Sequence, residues 1–100
     1  MYEFTSELLL WEGGDAPWHF VTLPEEISDE IEFRTAERTA GFGSVRVEVT
    51  VGTTSWRTSL FPDTSRGAYV LPVKKEARDR EDLVAGDKVV VTLALEEDWT

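Results

Sequence analysis

The sequence predicts a mainly β fold: a small closed barrel of about six antiparallel strands capped by two short helices. Three observations carry that expectation. Apolar residues recur with period two over most of the chain, as they do where a strand has one buried face. Connections between the periodic segments are short and rich in Gly, Asp and Thr, which favours antiparallel neighbours. Finally, about six strands in a chain of 100 residues leave long unpaired edges unless the sheet closes on itself.

The elements follow in order. Glu3–Trp11 alternates as a strand, with Phe4, Ser6, Leu8 and Leu10 on one parity, and Gly13-Gly14-Asp15 marks a turn. Trp18–Leu23 is a second strand, closed by Pro24, which cannot donate to a ladder but suits a first helical turn. The segment Glu25–Glu37 reads as a helix. Ile27 and Ile31 share a face, Glu25, Glu26 and Asp29 sit near its positive end, and Glu30 and Arg34 form an i,i+4 pair. Thr39-Ala40-Gly41 ends this unit.

Phe42–Val51 is the clearest strand, with Val45, Val47, Val49 and Val51 facing one way and Ser44, Arg46, Glu48 and Thr50 the other. Gly52-Thr53 has the length of a hairpin turn, so Thr54–Phe61 is expected to return antiparallel. Pro62–Gly67 reads as a loop. Tyr69–Pro72 is a short strand, Val73–Asp82 a second helix, and Asp87–Leu95 a last strand that alternates Val89, Val91, Leu93, Leu95. The tail after Leu95 is expected to be partly disordered.

Composition limits the function classes. One hundred residues support one domain with one core, so 1–100 is read as a single unit. The absence of Cys excludes disulfides, thiol chemistry and Cys-based zinc sites. No stretch is apolar enough for a membrane span or a signal peptide, and a cytoplasmic location is the expectation. The net charge of −10 is uneven: residues 1–40 hold ten acids and two bases, net −8, and residues 41–100 hold ten acids and eight bases, net −2. Such a chain is repelled by phosphate backbones, so nucleic acid is not the expected partner. The segment Lys74–Asp82 has four bases and four acids and reads as a salt-bridged helix.

Two strand–helix–strand units are visible, at roughly 18–51 and 67–95. The first opens with Phe20-Val21-Thr22-Leu23-Pro24 and the second with Tyr69-Val70-Leu71-Pro72. The second unit, with Val70-Leu71-Pro72 followed by Leu83, Gly86-Asp87, Val89 and Val91, resembles the half-barrel of AbrB/MazE-type swapped-hairpin transcription factors. In those proteins two chains each supply one unit and bind DNA as a dimer; here one chain holds two diverged units. Over most of the chain, the motifs Phe4–Leu8, Trp18–Pro24, Gly41–Val47, Trp56–Pro62 and Tyr69–Lys74, in this order, resemble the family called Domain of Unknown Function nineteen-oh-five. That resemblance implies a small closed double-split β-barrel capped by helices. It implies no established activity. It also implies association with a fused or adjacent bacteriocin-protection-like domain.

Candidate chemistry is sparse. His19 is the sole histidine, so no multi-His metal site can form, and Ser44, Ser55 and Ser59 lack a nucleophile-elbow context. The pairs Glu25/Asp29 and Glu26/Glu30 fall on helix faces where solvated charge explains them. No phosphate-binding glycine motif is present. No catalytic residue, metal or cofactor is assigned, and the chain is read as non-catalytic. One cluster mixes cations with aromatics: Trp18, His19, Arg46, Trp56, Arg57, Ser59, Tyr69 and Lys74. Guanidiniums beside indoles can bind a small anionic or aromatic ligand through bidentate and stacking contacts. The competing structural reading packs Trp56 in the core and pairs both arginines with Glu48 or other acids. The leading functional expectation is an interaction or accessory module for a partner protein, with small-ligand binding as the alternative and DNA binding third.

Overall fold

The alternation read from the sequence becomes seven strands and two helices in a computed structural model, which describes residues 1–36 and 43–96. In chain order the elements are β1 (Tyr2–Glu7), β2 (Leu9–Trp11), β3 (Trp18–Thr22), α1 (Glu25–Thr35), β4 (Val45–Val51), β5 (Thr54–Asp63), β6 (Ala68–Pro72), α2 (Lys75–Glu81) and β7 (Lys88–Leu95). All strand pairs are antiparallel. The fold is mainly β, as expected, but it is not a closed barrel of six strands. The sheet has seven strands in the order β1-β7-β4-β5-β6-β3-β2 and curls as an open half-barrel.

The extra strand arises at Leu8. Alternation from Tyr2 holds through Phe4 and Ser6 to Leu8, whose side chain is fully buried. There the chain turns: Leu8 N–H donates to Asp87 C=O and Gly86 N–H donates to Leu8 C=O, both at 2.8 Å. Beyond this bend Leu10 and Trp11 are exposed. The segment that starts at one sheet edge as β1 therefore finishes at the other as β2. No backbone ladder joins these edges; what bridges β1 to β3 is the Ser6 hydroxyl, which donates to Thr22 C=O at 2.8 Å.

Long β5 joins the two halves of the sheet. Thr54–Leu60 pairs with β4 through the Gly52-Thr53 turn, and Phe61–Asp63 pairs with β6. Strand character thus runs through Pro62 into the segment expected to be a loop. A proline is tolerated there because β4 has already ended and leaves that side of β5 without a ladder to fill.

The core follows the period-two faces. Val45, Val47, Val49 and Val51 of β4 and Val89, Val91, Leu93 and Leu95 of β7 are all buried and meet in the register Val47↔Leu95 and Val49↔Leu93. Burial of each such side chain contributes on the order of 1.5–3 kcal/mol. Helix α1 covers the sheet with Ile31, Ser28 and Thr35 buried, and the Ser28 hydroxyl accepts the N–H of Tyr69 at 3.1 Å. At the far end of α1, Arg34 donates to the Tyr2 hydroxyl at 2.9 Å and ties the helix to β1.

Both helices are shorter than expected. Helix α1 stops at Thr35, and α2 starts only at Lys75, because Pro72 lies inside β6 opposite Phe20. The Leu-Pro pairs are consequently not equivalent in space: Pro24 precedes α1 directly, whereas Pro72 is a strand residue. The expected unit end at Thr39-Ala40-Gly41 and the tail 97–100 lie outside the described residues.

A carboxylate latches α2 to the β4–β5 turn. Glu81 accepts the Thr54 hydroxyl at 2.6 Å and the Thr53 N–H at 3.3 Å. Gly52 makes this possible, with φ of +59° and a position where a Cβ would strike the Glu81 carboxylate. Gly52→Ala is therefore expected to cost about 1–2 kcal/mol for the left-handed backbone, and more as the latch is displaced. Urea unfolding would measure it; an unchanged midpoint would contradict this account of the turn.

Candidate functional site

The pairing of β3 with β6 builds a concavity that most of the sequence-derived cluster lines. Val73 N–H donates to His19 C=O at 2.9 Å, and Leu23 N–H donates to Tyr69 C=O at 3.0 Å. This fixes His19 on β3 beside the residues that lead into α2. On the other side β5 presents Trp56, Arg57 and Thr58. Together with Pro17, Trp18, Pro72, Val73, Lys74 and Arg78 they line a groove of about 250 Å³.

Five of the eight residues singled out in the sequence meet there: Trp18, His19, Trp56, Arg57 and Lys74. Trp56 is buried, with its indole in the core wall of the groove, while Arg57 and Lys74 are exposed. The other three lie elsewhere. Arg46 is exposed on β4 opposite Ser59, two pairs beyond Glu48↔Arg57, and neither Arg46 nor Ser59 reaches the groove lining. Tyr69 is buried and lines a separate cleft with Ser28, Asp29, Glu32 and Asp63. Parity correctly sets Arg46 on the face away from the valines, yet the two arginines do not form one site.

Arg78 is the residue that sequence reasoning missed. It belongs to a segment whose charges sum to zero, but within α2 Lys75 pairs with Asp79 at 2.8 Å and Arg80 with Glu76 at 3.1 Å. Those i,i+4 pairs occupy Asp79 and Glu76, Glu81 is taken by the β4–β5 turn, and Arg78 is turned to the groove, half-buried, with its Nε donating to Val73 C=O at 3.2 Å. Helical phase within Lys74–Asp82, rather than its net charge, carried the signal.

The electrostatics of the groove oppose those of the whole chain. Its lining includes no carboxylate. Among the described residues neither Lys74 nor Arg78 forms an ion pair, while Arg57 lies 3.7 Å from Glu48 across the β4–β5 ladder, both largely exposed. An exposed pair of that kind holds its arginine only weakly. The structural reading put Trp56 in the core and paired Arg46 and Arg57 with acids: Trp56 is buried and Arg57 lies beside Glu48, whereas among the described residues Arg46 forms no ion pair.

His19 reports this field. Its pKa is lowered from the ordinary value, first by desolvation and then by the positive charge of Arg78. Among the described residues its imidazole makes no hydrogen bond, and no serine lines the groove. Nor do the described residues gather three His, Asp or Glu side chains able to hold a metal ion. No described helix is long and apolar enough to cross a membrane.

A lowered His pKa fixes the sign of a pH effect. The unfolded chain binds the proton near pH 6.5, the folded chain only below that, so the related stability is present above about pH 6.5 and is lost as pH falls through the folded value. Replacing His19 by Asn is expected to remove this component. The stability difference between wild type and variant, from urea unfolding at pH 7 and pH 5, should then shift toward the variant at pH 5. No change in that difference would contradict the assigned environment.

No curated protein matches the chain. Residues 4–93 match the family model described as "Domain of unknown function (DUF1905)", and with nine-tenths of its length so matched the chain belongs to that family.

Proposed function

We propose that this domain is a non-catalytic binding module whose β3–β5–α2 groove takes a small anionic ligand bearing an aromatic ring. One observation carries the reading: in a chain of net charge −10, Lys74 and Arg78 face a concavity that has no carboxylate in its lining and is walled by Trp18 and Trp56. Lys74 is exposed and, among the described residues, half-buried Arg78 has only the Val73 carbonyl as a partner, so both have donors left for an anion. A phosphate or carboxylate between Lys74, Arg78 and Arg57 would supply charge-assisted hydrogen bonds, and the indoles would stack the attached ring. His19 adds a donor when protonated, so binding is expected to strengthen as pH falls through its titration.

A second reading, the interaction or accessory module, is favoured by a different feature. Strand β2 is an edge strand with Leu10 39% and Trp11 50% exposed, and Phe61 is 45% exposed. Strand edges with apolar side chains accept partner segments by strand addition. A fused or adjacent bacteriocin-protection-like domain is one such partner. DNA binding ranks below both, because −10 opposes a phosphate backbone. We further read 18–51 and 67–95 as an internal pseudo-repeat. The supports are the shared strand–helix–strand order and the reciprocal bonds Leu23→Tyr69 and Val73→His19, each related to the other by a shift of fifty residues.

Calorimetric titration with 1-naphthyl phosphate tests the ligand reading. Removing one charge-assisted contact is worth about 1.5 kcal/mol or more, so Lys74→Ala and Arg78→Ala are each expected to weaken binding roughly tenfold. Arg46→Ala, outside the groove, should leave it unchanged. Absence of saturable wild-type binding up to millimolar probe, or equal loss in the Arg46 variant, would overturn the assignment.

A further inference from the structure

A second concavity lies on the other side of Trp18, between β2, β3 and the β5–β6 turn. It measures about 300 Å³, with Trp11, Trp18, Phe20 and Val70 as apolar walls and Asp63, Ser65 and Arg66 at its mouth. Trp11 and Trp18 meet edge to face, with ring centroids 6.5 Å apart, and Trp18 lies 4.7 Å from Phe20. Arg66 already occupies part of this space. Its guanidinium sits 5.1 Å above the Phe20 ring and pairs with Asp63. Asp63 is held in place independently of Arg66: its Oδ1 accepts the Ser65 N–H at 3.0 Å and the Ser65 hydroxyl at 2.6 Å.

We propose that this cleft is a guanidinium-binding site, in which Arg66 is a resident, displaceable occupant. The chemistry is that of guanidinium recognition: an aromatic floor for the planar cation and a fixed carboxylate for its forked donors. The Arg66 side chain is 42% exposed, so it can swing into solvent. The half-exposed Trp11 then covers the incoming group from the open side. An ammonium or quaternary ammonium ion matches less well, the first because it is not planar and the second because it offers Asp63 no donor. The excess negative charge of the chain favours arrival of a cation at this face. The site shares only Trp18 with the anion groove, and its chemistry does not depend on that groove.

Because Arg66 is tethered, it competes at an effective concentration on the order of millimolar. A free guanidinium is therefore expected to bind the wild type weakly. Arg66→Ala vacates the floor, and Arg66→Gln keeps most of the side-chain volume without the charge; the backbone bonds from Arg66 and Gly67 to Asp63 C=O remain in both. The test follows the tryptophan indole N–H signals by NMR on the full chain, titrated with N-acetyl-arginine amide, N-acetyl-lysine amide and a Gly-Gly-Arg-Gly-Gly peptide.

The expected result is a saturable movement of the Trp11 signal with the Trp56 signal still. Taking an intrinsic dissociation constant of about 0.1 mM for a guanidinium, loss of a competitor at about 1 mM effective concentration should raise affinity for the arginine amide about tenfold in both Arg66 variants over wild type, and clearly above that for the lysine amide. Equal affinity for the amide and the peptide assigns the site to free guanidino compounds, and tighter peptide binding assigns it to an arginine of a partner protein. A still Trp11 signal in both variants, or equal response to arginine and lysine, overturns the proposal. Failure of the anion groove would appear separately, as a silent Trp56 under 1-naphthyl phosphate.

Discussion

The short β3–β6 ladder is the constraint on which the rest of this structure depends. It is centred on Val21↔Leu71, both fully buried, and is ended by two reciprocal backbone bonds, Leu23→Tyr69 and Val73→His19. Each bond lies immediately before a helix, so the ladder sets where α1 and α2 leave the sheet. The same pairing places His19 and Trp18 from the first unit against Val73, Lys74 and Arg78 from the second. A one-residue slip of either strand would turn its central residue, Val21 or Leu71, outward and scatter the groove, which is why a buried register is strongly specified.

Charge is arranged against the grain of the composition. Half of the twenty acids but only two of the ten bases lie in the first forty residues, while in α2 Asp79 and Glu76 are taken up by Lys75 and Arg80 and Glu81 by the β4–β5 turn. What remains at the groove is a small positive patch within a negative molecule. Two salt effects then oppose each other. Added salt screens the local attraction of Lys74 and Arg78 for an anion, but it also screens the long-range repulsion from the rest of the chain, over a Debye length of about 8 Å at physiological ionic strength. The groove is accordingly suited to a small ligand that enters it fully, and poorly suited to an extended polyanion that must lie along the acidic surface.

Much of the fold was legible in the residues. The valine alternation of β4 and of β7, and the hairpin at Gly52-Thr53, needed only period-two reading and turn chemistry. Closure was not legible. The sequence shows one strand from Glu3 to Trp11, and nothing in its pattern reveals that Leu8 anchors to Asp87 and Gly86 and sends the chain across to the other sheet edge. The two Leu-Pro pairs misled for a related reason, since Pro72 retains a place opposite Phe20 that is set by tertiary pairing rather than by local preference. At the groove, side-chain type identified Trp18, His19, Trp56, Arg57 and Lys74. Arg78 was hidden by charge balance, and Arg46, Ser59 and Tyr69 were drawn in because parity gives a face but not a position along it.

The central claim is that Lys74 and Arg78 converge, with the flanking indoles, on one anion. Diffraction from a crystal soaked with 1-naphthyl phosphate tests it most directly. The account predicts the phosphate within hydrogen-bonding distance of Lys74 Nζ and the Arg78 guanidinium, with the naphthyl ring against Trp18 or Trp56. A phosphate found on other cations, with this groove left to solvent, would contradict it.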